Sequence, residues 1–91
     1  MTFRELLNEK SNKLLTVIID WSKLDNNYKE YLFDNIIIDL EENVDLKFKH
    51  TDKNHAEVKF DESEKQNFEK FMKAKYFKHE YFKKLKIEIM V

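Results

Sequence analysis

The chain contains no glycine, no proline and no cysteine in 91 residues. Average usage would supply about 7% glycine and 5% proline, so both absences are informative. Glycine-rich phosphate loops, dinucleotide-binding fingerprints and the nucleophile elbow of hydrolases all need the backbone freedom of glycine, and the sequence excludes them. Without cysteine, the chain has no thiol nucleophile, no thiolate metal site and no disulfide.

Arginine and long apolar runs are also scarce. Arg4 is the only arginine among 17 basic residues. Together with many Asn, Ile, Phe and Tyr residues, this indicates the AT-rich codons of a low-GC bacterium, or of a phage or plasmid within one. No apolar run approaches the roughly 20 residues needed to cross a bilayer, and the N-terminus lacks the features of a signal peptide. We therefore expect a cytoplasmic protein with no membrane partner.

The chain does contain enough apolar and aromatic side chains to fill one small core. Hydrophobic residues make up 42% of it, aromatic residues 14% and charged residues 38%, which is typical of a folded domain with a densely charged surface. The length fits one domain over residues 1–91, because a second domain would be too small to bury a core. The formal net charge of −1 gives no overall attraction to nucleic acid or membrane.

Helical patterns dominate the first half of the chain. Thr2 and Glu5 have capping-box spacing, and apolar residues then recur on one side of a helical wheel, which predicts a first helix over 2–22. The β-branched stretch 16–19 leaves a strand as the alternative there. A second helix is predicted over 27–42, although alternating apolar residues leave a strand as its alternative too. The predicted apolar face of this second helix comprises Leu32, Phe33, Ile36, Ile37 and Leu40.

The apolar period changes to two after Val44. Residues 44–48 and 56–60 alternate between apolar and charged side chains around a polar loop at 51–54, which predicts a β-hairpin. Aspartate and asparagine in that loop can form a turn without glycine.

A long helix and a final strand are predicted after the hairpin. Asp61 and Glu64 repeat the capping-box spacing and predict a helix that ends near Lys83. Alternation over 85–91 predicts a strand added to the hairpin. We therefore expect an α+β domain of order α-α-β-β-α-β, with a three-stranded, mainly antiparallel sheet packed by helices.

The predicted C-terminal helix carries the first candidate binding surface. Two aromatic residues fall opposite its core face, four positions apart, with lysines around them. Aromatic rings supply contact area and lysines supply charge, a combination typical of binding surfaces. The alternative is a helix that bends or ends near Lys75, after which the next segment buries both rings. This basic aromatic surface comprises Lys70, Lys73, Phe77, Tyr81 and Lys84.

An uneven distribution of charge yields a second candidate surface. Residues 20–45 contain eight acidic residues and two lysines, whereas residues 70–86 contain seven lysines and one acidic residue. The two segments either attract each other, within the fold or across a dimer, or face a partner. The acidic surface predicted on the second helix comprises Glu30, Asp34 and Glu41.

Metal binding and catalysis find little support in the sequence. His50 and His55 flank the hairpin loop and, with Asp52, would make only part of a metal site, so we expect exposed strand-end histidines, no metal and no cofactor. His79 is predicted to lie in the core. The hydroxyl residues lie in no recognisable catalytic context, and a domain of this size has little room for a deep pocket. We therefore expect no enzymatic activity.

These observations favour a small, non-catalytic protein-binding module. Size and composition suit an inhibitor or accessory protein of a phage or other mobile element, such as an anti-CRISPR or other anti-host protein, or a toxin-immunity protein. It would block a bacterial partner, for example a nuclease, by steric and electrostatic occlusion. Two alternatives stay open: a nucleic-acid-binding protein that uses the basic aromatic surface, and a homodimeric module whose C-terminal strand or outward apolar residues pair across a two-fold axis.

Overall fold

A four-stranded antiparallel sheet forms one layer of the protein, and two α-helices pack on one of its faces. The structure, a computed structural model, describes residues 13–90. Short 3-10 turns at Glu62–Glu64 and Glu80–Phe82 precede and follow the second helix. In chain order the elements are β1 (Leu14–Asp20), α1 (Asn26–Asn43), β2 (Leu46–Thr51), β3 (His55–Asp61), α2 (Lys65–Lys75) and β4 (Lys86–Met90).

The α+β class is confirmed, whereas the predicted element order and strand number are partly wrong. The described residues run β-α-β-β-α-β, and the strands lie in the order β2-β3-β1-β4. The two parallel strands of each β-α-β unit are therefore separated by a third, antiparallel strand: β3 lies between β1 and β2, and β1 lies between β3 and β4. The strand that the prediction lacked is β1, because the sequence analysis assigned that segment to a helix.

Strand β1 replaces the end of the predicted first helix. Alternate residues Leu15, Val17 and Ile19 are buried, and the strand pairs with β3 on one side and β4 on the other. The β-branched run 16–19 fits the pleat of a central strand better than a helix. Tertiary pairing therefore overrides the helical spacing. The rest of the predicted first helix, including its capping box, lies outside the described residues.

Helix α1 confirms the predicted second helix. It buries Leu32, Ile36 and Leu40 against the sheet, with Ile37 partly buried beside them. Phe33, predicted on the same face, is instead exposed over 46% of its surface. The buried residues recur every four positions, which is the spacing that one face of a helix requires. Neither described helix is long and apolar enough to cross a membrane.

The hairpin is confirmed, but the final strand pairs elsewhere. Strands β2 and β3 pair around a short loop, with an irregularity between Leu46 and Phe48 that turns Phe48 to the uncovered face of the sheet. Strand β4 pairs with β1 rather than with the hairpin. Strand β1 occupies the side of β3 that faces away from β2, so β4 joins the sheet beyond β1.

The long C-terminal helix is shorter than predicted. Helix α2 ends at Lys75, and Tyr76 begins a turn that leads to the 3-10 segment. Phe82 is buried and packs edge-on against Tyr76 with ring centroids 5.1 Å apart. In a continuous helix, residues six apart would point in directions about 120° apart around the axis. The end of the helix at Lys75 instead allows both rings to pack against each other in the core.

Aspartates at strand ends form the turns that glycine forms in most proteins. Asp20 ends β1, Asp52 follows β2 and Asp61 ends β3, and each carboxylate accepts a hydrogen bond from the backbone amide two residues later. Such side-chain turns need no positive φ angle. The donors are the amides of Ser22, Asn54 and Ser63. The backbone N–H of Ser22 lowers the pKa of Asp20, and that of Asn54 lowers the pKa of Asp52.

Two neighbouring isoleucines of β1, Ile18 and Ile19, provide a test of the strand assignment. Ile19 is fully buried whereas Ile18 points to the uncovered face. Ile19→Ala should lower the free energy of unfolding by about 3 kcal/mol because it empties a closed core, and Ile18→Ala by only about 1 kcal/mol. Urea denaturation followed by circular dichroism measures both. Equal losses would contradict a strand, because a helix places neighbouring residues on adjoining faces.

Acid should weaken the turn at the end of β1. The pKa of Asp20 is lowered in the folded protein, so its contribution to stability is present above its ordinary pKa of 3.8 and is lost as pH falls through the lowered value. Asp20→Asn keeps an acceptor oxygen but removes the titration. The free energy of unfolding of this variant should therefore fall less steeply than that of the wild type between about pH 4 and pH 2. If the free energy of unfolding of both proteins changes equally with pH, the ionised Asp20 carboxylate does not stabilise this turn.

Candidate functional site

A broad groove lies between α1 and the segment that runs from α2 to the 3-10 turn at Glu80–Phe82. It has a volume of about 1060 Å³, the upper end of the range for ligand pockets, and it is open to solvent. We call it the aromatic groove. Its lining includes Tyr28, Tyr31, Asp39, Glu42, Lys70, Phe71, Lys75, Tyr76, Lys78, His79, Tyr81 and Phe82.

Three stacked rings form one end of the aromatic groove. Tyr81 lies between Tyr28 of α1 and His79, with ring centroids 4.8 Å and 5.1 Å away and interplanar angles of 0° and 7°. Tyr81 is still exposed over 46% of its surface, because the ring edges face solvent. The stack joins two elements that are about 50 residues apart in the chain. It is fixed in the free protein, before any partner binds.

Phe82 packs against this stack from the core side. Its buried ring meets Tyr28, Tyr81 and Tyr76 edge-on, at centroid distances of 5.7, 5.0 and 5.1 Å. Edge-to-face contacts of this kind are favourable beyond the area that they bury. The exposed rings therefore pack on core residues.

A three-residue polar network lies in the wall of the aromatic groove. The carboxylate of Asp39 accepts a hydrogen bond from the Tyr76 hydroxyl at 3.1 Å and pairs with the Lys75 ammonium at 2.7 Å. Burial raises the pKa of Tyr76 well above its usual range, with the Asp39 charge adding to the effect. The hydrogen bond to Asp39 raises the pKa of Lys75. Because Tyr76 stays protonated and the three groups satisfy one another, this network is a structural brace.

Lysines give one rim of the aromatic groove a positive charge. Lys70 on α2 and Lys78 in the following turn line it, and neither pairs with a carboxylate among the described residues. On the other rim, Glu42 contributes a negative charge from α1. Between the acidic and basic segments, Lys75 and Asp39 form the one ion pair within 4.0 Å among residues 13–90, and Lys86 lies opposite Asp20 across β4 and β1.

The structure divides the predicted basic aromatic surface. Lys70 and Tyr81 line the aromatic groove, whereas Lys73, Phe77 and Lys84 do not. A single continuous helix was required to bring all five together, and that helix ends at Lys75. The prediction that Phe77 and Tyr81 are outward-facing agrees with their exposure of 40% and 46%.

The predicted acidic surface lies on the other flank of α1. Glu30 and Asp34 line a smaller pocket beside Phe33 and the hairpin loop. Glu41 pairs with Lys49 of β2 instead of facing solvent alone. The three acidic residues therefore face the hairpin side and share no pocket with the basic rim of the aromatic groove.

The histidines occupy three different surroundings. The Nδ1 atom of His55 lies 2.9 Å from the Asp52 carboxylate, and His50 is exposed on β2. Among residues 13–90, no three His, Asp or Glu side chains are close enough together to hold a metal ion. His79, predicted in the core, is half-buried and belongs to the aromatic stack.

Of the residues that line the aromatic groove, sequence reasoning identified only Lys70 and Tyr81 as site residues and missed the others, among them Tyr28, Tyr31, Lys78 and His79. The two tyrosines lie three residues apart near the start of α1, on the flank beside its buried stripe. That spacing on a helix was the available signal. The contact of Tyr28 with Tyr81 joins distant segments, so periodicity within either segment could not reveal it.

The Tyr76 hydroxyl tests the brace. Tyr76→Phe keeps the buried ring but leaves the Asp39 carboxylate with one fewer donor, so the free energy of unfolding should fall by about 1–2 kcal/mol. Tyr31→Phe is the matched control, since the Tyr31 hydroxyl has no hydrogen-bond partner among the described residues and its loss should cost little. Urea denaturation of both variants measures the difference. Equal effects would refute the brace.

Comparisons with known protein families, curated proteins and solved structures find no match to this chain. The interpretation of the aromatic groove therefore rests on its own geometry. That geometry combines a fixed stack of rings, a self-satisfied polar brace and lysines on one rim.

Proposed function

We propose that this chain is a non-catalytic protein-binding module and that the aromatic groove is its binding surface. The observation that carries the proposal is the stack of Tyr28, Tyr81 and His79, whose rings are partly exposed yet already held in place. A surface of rigid rings loses little conformational entropy when a partner binds. Tyrosine is also among the residues enriched at the energetic centres of protein interfaces.

The chemistry of the rims indicates the partner. Apolar or aromatic side chains of the partner would pack on Tyr31 and the stacked rings, and carboxylates beside them would pair with Lys70 and Lys78. Glu42 on the opposite rim would accept a basic or amide group. The partner segment that fits is therefore apolar along its centre and acidic on the side that faces α2.

Nucleic acid fits the same groove less well. Tyr28 and His79 already stack on the Tyr81 ring, which leaves less of that ring available for stacking by an unpaired base. The carboxylates of Asp39 and Glu42 line the groove and would repel phosphates. Nucleic-acid binding through Lys73 and Lys84, outside the groove, is the second candidate.

Binding at the aromatic groove would act by occlusion. A chain of 91 residues that covers a partner's functional surface inhibits it without any chemistry of its own. The composition arguments point to an inhibitor or accessory protein of a mobile element with a bacterial target, of the anti-host or toxin-immunity type. Its surface charges would then steer association with that target.

Charge reversal at matched sites tests the proposal. The double variant Lys70→Glu and Lys78→Glu reverses the basic rim, whereas Lys73→Glu and Lys84→Glu makes the same charge change outside the groove. A tagged protein is first used to capture its partner from a nuclease-treated lysate of a low-GC host. The groove variant should bind the captured partner at least about tenfold more weakly than the wild type.

The control variant decides between the candidates. Under the proposal it retains near wild-type affinity, and binding survives nuclease treatment. Loss of capture on nuclease treatment, with affinity that falls steeply as salt rises, would favour nucleic acid and refute the groove. Circular dichroism of all variants confirms that each is folded.

A further inference from the structure

Strand β4 is an edge of the sheet whose outer side is unpaired among the described residues. It carries apolar residues that an isolated edge normally avoids: Ile89 is 37% exposed and Met90 39% exposed. The opposite edge, β2, is interrupted by an irregularity and carries Lys47 and Lys49 within the strand. Bulges and lysines are the usual protection of an edge strand against pairing. The two edges therefore differ, and β4 is the one open to a further strand.

The charges of β4 are self-complementary. Lys86 and Glu88 are two residues apart and lie on the same face of the sheet, whereas Ile87 and Ile89 lie on the face that the helices cover. Neither charge pairs with another described residue within 4.0 Å. We infer that two copies of this chain associate by antiparallel pairing of their β4 strands, with Ile87 on the two-fold axis.

Among the symmetric antiparallel registers, only the one centred on Ile87 places both Lys86 and Glu88 opposite a residue of opposite charge. Centred on Ile87, it places Lys86 of each copy opposite Glu88 of the other, twice by symmetry. A pairing centred on Glu88 would oppose two carboxylates, and one centred on Lys86 would oppose two ammonium groups, both of which are destabilising. A pairing centred on Ile89 leaves Lys86 and Glu88 without an opposite charge. The sheet then continues across the dimer as eight strands, and the isoleucines of both copies meet on the helix side.

This inference does not depend on the proposed function. The residues of β4 do not line the aromatic groove, so groove variants and β4 variants change different surfaces. Dimerisation without groove binding, or the reverse, is therefore distinguishable.

Two complementary variants test the register. Glu88→Lys opposes lysines in both symmetric pairs, and Lys86→Glu opposes glutamates. Sedimentation analysis of the wild type from about 10 μM to about 1 mM should show a concentration-dependent dimer. Each variant alone should dimerise roughly tenfold or more weakly. An equimolar mixture of the two should form a heterodimer, because each Lys then faces a Glu again.

Controls for folding are part of the design. Lys86→Glu places a carboxylate opposite Asp20 of β1, whereas Glu88 lies opposite the uncharged Ile18. If Lys86→Glu loses its circular dichroism spectrum, Glu88→Lys alone carries the test. A wild type that stays monomeric throughout, including one whose β4 instead binds an extended peptide, overturns the inference. A dimer that both variants leave unchanged overturns it too.

Discussion

The absence of glycine is the constraint on which the rest of this structure depends. No described residue has a positive φ angle, so every reversal of the chain uses backbone that ordinary residues can adopt. Tight turns that rely on the left-handed region are not used among residues 13–90. Side chains supply what the backbone lacks. Aspartate carboxylates close the turns after three strands, and a cluster of aromatic rings holds the longer reversal between α2 and β4.

The aromatic groove follows from this constraint. After a helix that ends with glycine, the chain leaves the helix axis within about two residues, because the left-handed glycine lets the following backbone N–H groups donate to the last helical carbonyls. Helix α2 ends at Lys75 without one, and the chain needs the following turn to reach β4. Packing of Tyr76 and Phe82 holds that turn against α1. The rings that stabilise the reversal are the rings that line the surface, so the candidate site and the fold share the same side chains.

Local patterns predicted some elements well and failed where distant segments meet. The spacing of apolar residues within each segment predicts helix α1 and the hairpin, and the α+β class follows from these two elements. Strand β1 was misjudged because Leu14, Val17, Ile18 and Trp21 also fit a helical wheel. Only its pairing with β3 and β4 distinguishes the two forms. The end of α2 at Lys75 was predicted only as the alternative to a longer helix, and the burial of Phe77 and Tyr81 expected with it is not observed. The burial of Phe82 depends on the distant Tyr28 and on Tyr76, which local periodicity does not reveal. Lys70 and Tyr81 could be predicted as surface residues, but their neighbours in the groove could not.

Trp21, the only tryptophan of the chain, sits where β1 meets the hairpin loop. Its ring is fully buried, its indole N–H donates to the Lys53 carbonyl at 2.7 Å, and its backbone N–H donates to Asn54. The end of β1 and the loop of the β2–β3 hairpin are thereby joined at one residue that has a spectroscopic signal of its own. Tryptophan emission, excited selectively over the four tyrosines, therefore reports the surroundings of this one residue and its contact with a segment about 30 positions away. A change in emission records whether β1 has joined the sheet, without any label.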